Sequence, residues 1–258
     1  PLMNSFLFRR VGLVVAWCGL AGALIAAESA PSPELPTLDK VLARYVEAIG
    51  GRARLEKLTS RVIEGEVEMS AVPGTFALRV SAKAPDKQLS VITIPGFGEL
   101  REGYDGTNGW VKNPMQGLAD RPAAELPKVR RDAQFNRELQ YQKIYPDLAV
   151  KGVDRSGPEP LVIAESRPDA KSLERLYFGQ TTGLLVRQDS EFEGQNGRVS
   201  ATAAFEDYRE VEGGVRLPHA IRITARGADG MEMSLKLTVK SVKHNVPLDD
   251  AEFRKPAS

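Results

Sequence analysis

Cysteine is nearly absent from this chain of 258 residues: the one cysteine, Cys18, sits in the leading apolar stretch. Past that stretch there is no disulfide to staple the fold, no thiolate metal site and no cysteine nucleophile. Histidine is almost as scarce. His219 and His244 are the only two and lack HExxH spacing, so they make a poor metal site. No GxSxG elbow, GxGxxG turn or Walker loop occurs, which removes the usual sequence basis for serine-hydrolase, dinucleotide or nucleoside-triphosphate chemistry. Net charge is lacking too, with 35 Lys and Arg against 34 Asp and Glu. A balanced chain offers no basic face to nucleic acid.

What is present begins with an export signal. Arg9 and Arg10 precede an uncharged run from Val11 to Ala27, closed by Ala23, Ala26 and Ala27 and followed by Glu28 and a Pro-rich stretch. These are the three parts of a secretory signal peptide over residues 1–27, cut after Ala26 or Ala27. An uncleaved anchor is the weaker reading: a spanning helix takes about 20 apolar residues, and Gly12, Gly19 and Gly22 interrupt this run. Phe8 and Gly12 fit a twin-arginine signal poorly, and Trp17 fits lipidation of Cys18 poorly. The expected location is therefore the periplasm. Residues 28–36 read as a linker and 37–258 as a single domain. Arg9 and Arg10 leave with the signal, so that domain carries close to zero net charge.

The domain is patterned for strands. Met231, Met233, Leu235, Leu237 and Val239 alternate with Glu232, Ser234, Lys236, Thr238 and Lys240; Ile63, Val67 and Met69 alternate with Glu64, Glu66 and Glu68. Such alternation builds a sheet with one apolar and one wet face. Pro73-Gly74 joins the second run to Phe76, Leu78, Val80 and Ala82 as a hairpin, and Leu89 to Ile94 is apolar enough to be buried on both faces. Thr37 caps a helix with the stripe Leu38, Val41, Leu42, Tyr45, Val46 and Ile49, ended by Gly50-Gly51. A second helical segment spans Pro122 to Leu139, with Pro127 in its first turn. The expected fold is mainly β (α+β): one curved antiparallel sheet forming a half-open barrel of about ten or eleven strands, with helices as a lid over its concave face.

Chemistry is sparse on this frame. His219 falls in phase with Val215, Leu217, Ile221 and Ile223; a hydrogen-bonded histidine at a strand rim outweighs a polar handle in a cavity. The acidic pairs Glu206-Asp207 and Asp249-Asp250 are sequence neighbours, which places their members on opposite faces of a strand. No catalytic residue, metal site or cofactor is expected, and the chain reads as a non-enzyme. The apolar face has two readings: packed core, or the wall of a cavity for an acyl chain. A concave sheet of about ten strands needs more filling than two helical segments supply, which favours the cavity.

The order of a helix with a Gly-Gly end, long hairpins, Tyr104-Asp105-Gly106-Thr107-Asn108-Gly109-Trp110, a mid-chain helix and Gly213-Gly214-Val215-Arg216-Leu217-Pro218 resembles the exported lipoprotein carrier and lipoprotein-sorting proteins of the LolA/LolB-like superfamily. So does the closing run from Asn245 to Pro256. The resemblance covers about residues 38–256 and rests on turn and strand signatures. It implies an unclosed barrel with a helical lid over an apolar cavity, and binding of lipid or lipoprotein acyl chains for movement between membranes. The cavity candidates are Ile63, Val67, Met69, Phe76, Leu78, Val80, His219, Ile221, Ile223, Met231, Met233, Leu235 and Leu237. The expected partners are a lipid or acylated lipoprotein ligand and no nucleic acid, with the chain a monomer. The alternative is an envelope sensory or protein-interaction module with a docked protein partner; a hydrolase built on His219 ranks last.

Overall fold

A computed structural model describes residues 34–194 and 197–257, so the segment read as a signal peptide and most of the linker lie outside the described residues. Among the described residues thirteen strands form one antiparallel sheet. In chain order they are β1 (Ser60–Met69), β2 (Val72–Lys83), β3 (Lys87–Ile94), β4 (Gly98–Tyr104), β5 (Gly109–Asn113), β6 (Gly117–Asp120), β7 (Ala149–Asp154), β8 (Leu161–Ser166), β9 (Leu173–Gly179), β10 (Leu185–Gly194), β11 (Gly197–Val211), β12 (Val215–Arg226) and β13 (Glu232–His244). The spatial order β6-β5-β4-β3-β2-β1-β13-β12-β11-β10-β9-β8-β7 is two meanders joined where β1 pairs with β13. The edge strands β6 and β7 do not pair with each other, so the curved sheet stays open.

The count exceeds the expected ten or so because β4 to β7 are short or carry mixed polarity, and period-two alternation needs length to show. The remaining ladder follows the pattern. Val67, Leu237, Ile221 and Phe205 stand opposite one another across four strands and make one apolar row. On the other face, Glu64–Arg79, Glu66–Lys240 and Glu68–Lys236 form cross-strand ion pairs at 3.0, 3.1 and 2.7 Å. Exposed pairs add only about 0–1 kcal/mol each. Their larger effect is on register, because a one-residue slip would turn that acidic row inward. One strand falls short of its expectation in degree: of Leu89 to Ile94 only Leu89 is fully buried, although both faces of β3 are partly covered, Val91 beside Leu89 on one and Ile92 and Ile94 against Val67, Phe76 and Leu78 on the other.

Helix α1 (Leu38–Ala48) starts at Thr37, whose hydroxyl accepts from Lys40 N–H at 3.4 Å, and buries Val41 and Tyr45. Gly50 ends it at φ +124°, and a Cβ there would lie 2.7 Å from Gly214 O. Glycine is thus required both for the backbone conformation and for the close approach. A short turn of helix, α2 (Arg52–Leu55), leads into β1.

The expected helix over 122–139 is broken into α3 (Leu126–Asp132) and a 3-10 turn (Arg137–Leu139), with a proline in the first turn of α3, and a further short helix, α4 (Tyr141–Ile144), follows it. The break falls at Asn136, left-handed at φ 49°, whose Nδ2 donates to Leu55 O at 2.7 Å. That bond ties the segment to α2 and takes the chain out of helical register.

Among the described residues two cores pack under the helices and the C-terminal turn, beside a third cluster around Val67, Phe76 and Leu78. On the inner face, Val41 and Tyr45 of α1 and Ile49 at its C-cap, with Phe135, Tyr141 and Tyr145, pack on Ala164, Leu176, Phe178 and Leu185. On the opposite face, the C-terminal turn lays Phe253 and Leu248 against Val62, Leu89 and Trp110. Trp110 Nε1 donates to Phe253 O at 2.9 Å, and the indole covers Gly103, where a Cβ would come within 2.4 Å of the ring.

Candidate functional site

Between the helical segments and β1, β3 and β10–β13 lies a cavity of about 470 Å³, within the usual range for ligand sites. One wall is apolar: Ile63, Ile221, Ile223, Leu237 and Val239 face it. By alternation these are inward residues of the sheet, yet every one is only half-buried. Inward apolar side chains that the protein leaves partly uncovered fit a lined space better than a fully packed core.

The other wall is polar. Arg61 enters from β1, Gln188 and Ser190 from β10, Lys128 and Asp132 from α3, and Arg137 and Glu138 from the 3-10 turn. Behind Gln188 and Ser190 stands Glu174, 1 % exposed, whose Oε2 accepts from both side chains. Lys128 pairs with Asp132 at 2.6 Å. Arg61 Nε donates to His244 Nε2 at 3.0 Å, and its guanidinium lies 5.4 Å from the centre of the Phe135 ring.

Tyrosines fill the junction between the walls and the helices. Tyr45 stacks on Tyr141 at 6.2 Å and tilts against Phe178 at 5.4 Å; Tyr208 OH donates to Leu185 O at 2.7 Å. Burial raises the Tyr45 pKa well above 10 and that of Tyr208 above its ordinary value; it pushes Tyr141 up to about 12, with the Arg137 guanidinium opposing the rise. All three therefore stay protonated and neutral and none can act as a base near neutral pH. The arrangement offers surface, hydrogen bonds and charge for binding.

The sequence candidates divide by place. Ile63, Ile221, Ile223 and Leu237 line the cavity. Val67, Phe76 and Leu78 form a buried cluster with Met69, Val80 and Leu235 packed on it. Met231 and Met233 are exposed, 74 % and 51 %, at the β12–β13 hairpin. His219 is buried, its Nδ1 3.0 Å from Leu217 O. Sequence reasoning passed over the polar wall. Arg61 did carry a signal, since it lies in phase with Ile63 and Val67 on β1, where a charge breaks the alternation.

The architecture has counterparts among solved structures. A domain from Vibrio parahaemolyticus named for outer membrane lipoprotein sorting superposes with a TM-score of 0.57 at 13% identity, covering 84% of this chain and 97% of that one. A LolA superfamily protein from Nitrosomonas europaea gives 0.55 at 16% identity over 85% and 98%. The fold is LolA-like. A DUF1329 family protein from Desulfovibrio piger shares it, with a TM-score of 0.56 at 14% identity over 84% and 96%. No family model matches the sequence, and no curated protein matches it. The LolA-like likeness is one of fold, carried by structure where identity is low. Among the described residues, no helix is long and apolar enough to cross a membrane.

Proposed function

We propose that this chain is an exported, periplasmic, non-enzymatic protein that holds lipid or lipoprotein acyl chains in its cavity, for transport or sorting between membranes. One observation carries the proposal: Ile63, Ile221, Ile223, Leu237 and Val239 face a space of about 470 Å³ and stay half-buried. An acyl chain laid there would gain about 0.8 kcal/mol per buried methylene before ordering costs. The likeness to a domain named for lipoprotein sorting adds support of a coarser kind, at the level of fold.

The test is uptake of a fluorescent fatty acid from solution. Ile223→Glu puts a charge on the apolar wall and removes uptake. Arg222→Glu, one residue along β12 on the exposed face, leaves uptake unchanged. Equal loss in both variants would contradict an inner-face site.

A further inference from the structure

The large apolar side chains that stand in solvent gather at one end of the sheet. Phe97 is 68 % exposed and Met115 86 %, and with Met231 and Met233 they make four of the five such residues among the described ones. Phe97 sits in the β3–β4 turn, Met115 in the β5–β6 turn, and Met231 and Met233 at the β12–β13 turn. Strand pairing brings these turns together. Met69, ending β1, stands opposite Val72 across the β1–β2 turn and opposite Leu235 near the start of β13, while Ala77 on β2 meets Thr93 near the end of β3. Along the eight neighbouring strands from β6 to β12, the β5–β6, β3–β4, β1–β2 and β12–β13 turns therefore leave the sheet at the same end.

These turns carry almost no charge. No Asp, Glu, Lys or Arg occurs over residues 70–78, 88–98 or 113–119, and Asp229 of the fourth turn accepts from Met231 N–H at 3.0 Å. Beside them Arg101, Arg226 and Lys236 pair with Glu99, Glu232 and Glu68, while Lys112 has no such pair among the described residues. The opposite end is wet. Asp86, Asp105 and Glu212 occupy its β2–β3, β4–β5 and β11–β12 turns, which hold none of the exposed large apolar residues. Farther along the dry end the patch stops at the β8–β9 turn, where Arg167, Asp169 and Lys171 stand.

Exposed apolar groups gathered in one place mark an interaction surface. Here each stands on its own turn, neighbouring hairpins lying about 10 Å apart along the sheet. A protein partner would need a separate pocket for every prong, whereas the boundary between headgroups and acyl chains yields around all of them. We propose that this end of the sheet docks on a phospholipid bilayer with a zwitterionic surface, Phe97, Met115 and Met231 entering the headgroup boundary. The attraction is apolar rather than electrostatic. Met233, Leu235 and Leu237 follow at alternate positions on β13, and Leu237 lines the cavity, so the docked end and the cavity share one apolar row. The docking stands whether or not the cavity holds an acyl chain.

The described domain excludes residues 1–27, so the test uses residues 28–258, a chain with no cysteine. Met115→Cys, Met231→Cys and, ahead of β1 at the wet end, Lys57→Cys each carry a nitrobenzoxadiazole label. Vesicles of dioleoylphosphatidylcholine should move the emission of the first two to shorter wavelength and leave the third unchanged. In the unlabelled protein, Phe97→Asp combined with Met231→Asp should weaken co-sedimentation with these vesicles by about a hundredfold, about tenfold for each side chain kept out of the apolar phase. Lys57→Asp should leave it unchanged. All the substituted side chains are exposed, so none is needed for the core. Adding phosphatidylglycerol to the vesicles should change binding little. Binding that appears only with phosphatidylglycerol overturns the proposal, as does tip emission that vesicles leave unchanged. Tip labels that respond to rising protein concentration without vesicles also overturn it and assign the patch to a second copy of the chain.

Discussion

Arg61 on β1 and His244 at the end of β13 are joined side chain to side chain, Nε to Nε2, at 3.0 Å. Because Nε2 must accept from the guanidinium, the imidazole proton sits on Nδ1, which donates to Glu212 O at 2.7 Å. The neutral histidine therefore holds Arg61 at the cavity wall. Burial lowers the His244 pKa below its ordinary value of 6.5, and the adjacent guanidinium lowers it further.

This relation sets a pH dependence. The folded state binds the proton less readily than the unfolded chain, so the contribution is present in full above about pH 6.5 and declines as pH falls toward the folded value. Urea midpoints measured from about pH 7.5 down to about pH 5, above the main carboxylate range, should fall for the wild type. His244→Asn should flatten that slope. Parallel slopes in the two proteins would show that His244 is not the group responsible.

The C-terminal turn should be essential to stability. Phe253 is fully buried under Trp110, and the capping box of Asp249 and Glu252 starts the turn that delivers it. Phe253→Ala is expected to cost about 3–5 kcal/mol by urea unfolding. Gly103→Ala should be strongly destabilising as well, because its Cβ would meet the Trp110 ring within 2.4 Å. A mild effect at both sites would mean that the tail is dispensable.

Stability and binding should separate along the inner face. Val67, 1 % exposed within its cluster, is packed core, and Val67→Ala should lower the unfolding midpoint. Ile223 faces open space, so Ile223→Ala should lose less stability while weakening retention of a long acyl chain. The pair is compared by thermal melts and a fatty-acid displacement assay. The reverse ranking would place the ligand space elsewhere.

How far the sequence announces this fold depends on strand length. The alternation in Leu235, Leu237 and Val239 against Lys236 and Lys240 is long enough to assign the faces of β13 directly. Four residues at Gly117–Asp120 cannot display a period, and the edge of the sheet stays hidden. Pro127 marks the start of α3, but the break at Asn136 comes from its bond to Leu55 O, a contact far off in sequence.

The candidate site divides in the same way. Its apolar wall could be read because inward apolar residues recur every second position on β12 and β13. The polar wall is assembled from single residues on β1, β10, α3 and the 3-10 turn, and apart from Arg61, whose charge breaks the β1 alternation, each is unremarkable in its own segment. Only the fold brings Arg61 and Glu138 to one space. Met231 and Met233 are exposed at the β12–β13 hairpin end, Met231 just before β13 and Met233 near its start, which alternation by itself does not register.

The central claim is that the cavity holds lipid. Native mass spectrometry of residues 28–258, purified without detergent from a membrane-containing host, tests it most directly. The account predicts a population heavier than the polypeptide by the mass of an amphiphile, released by solvent extraction and identified as lipid. A bare polypeptide mass that stays bare after incubation with phospholipid and acylated peptide would contradict it.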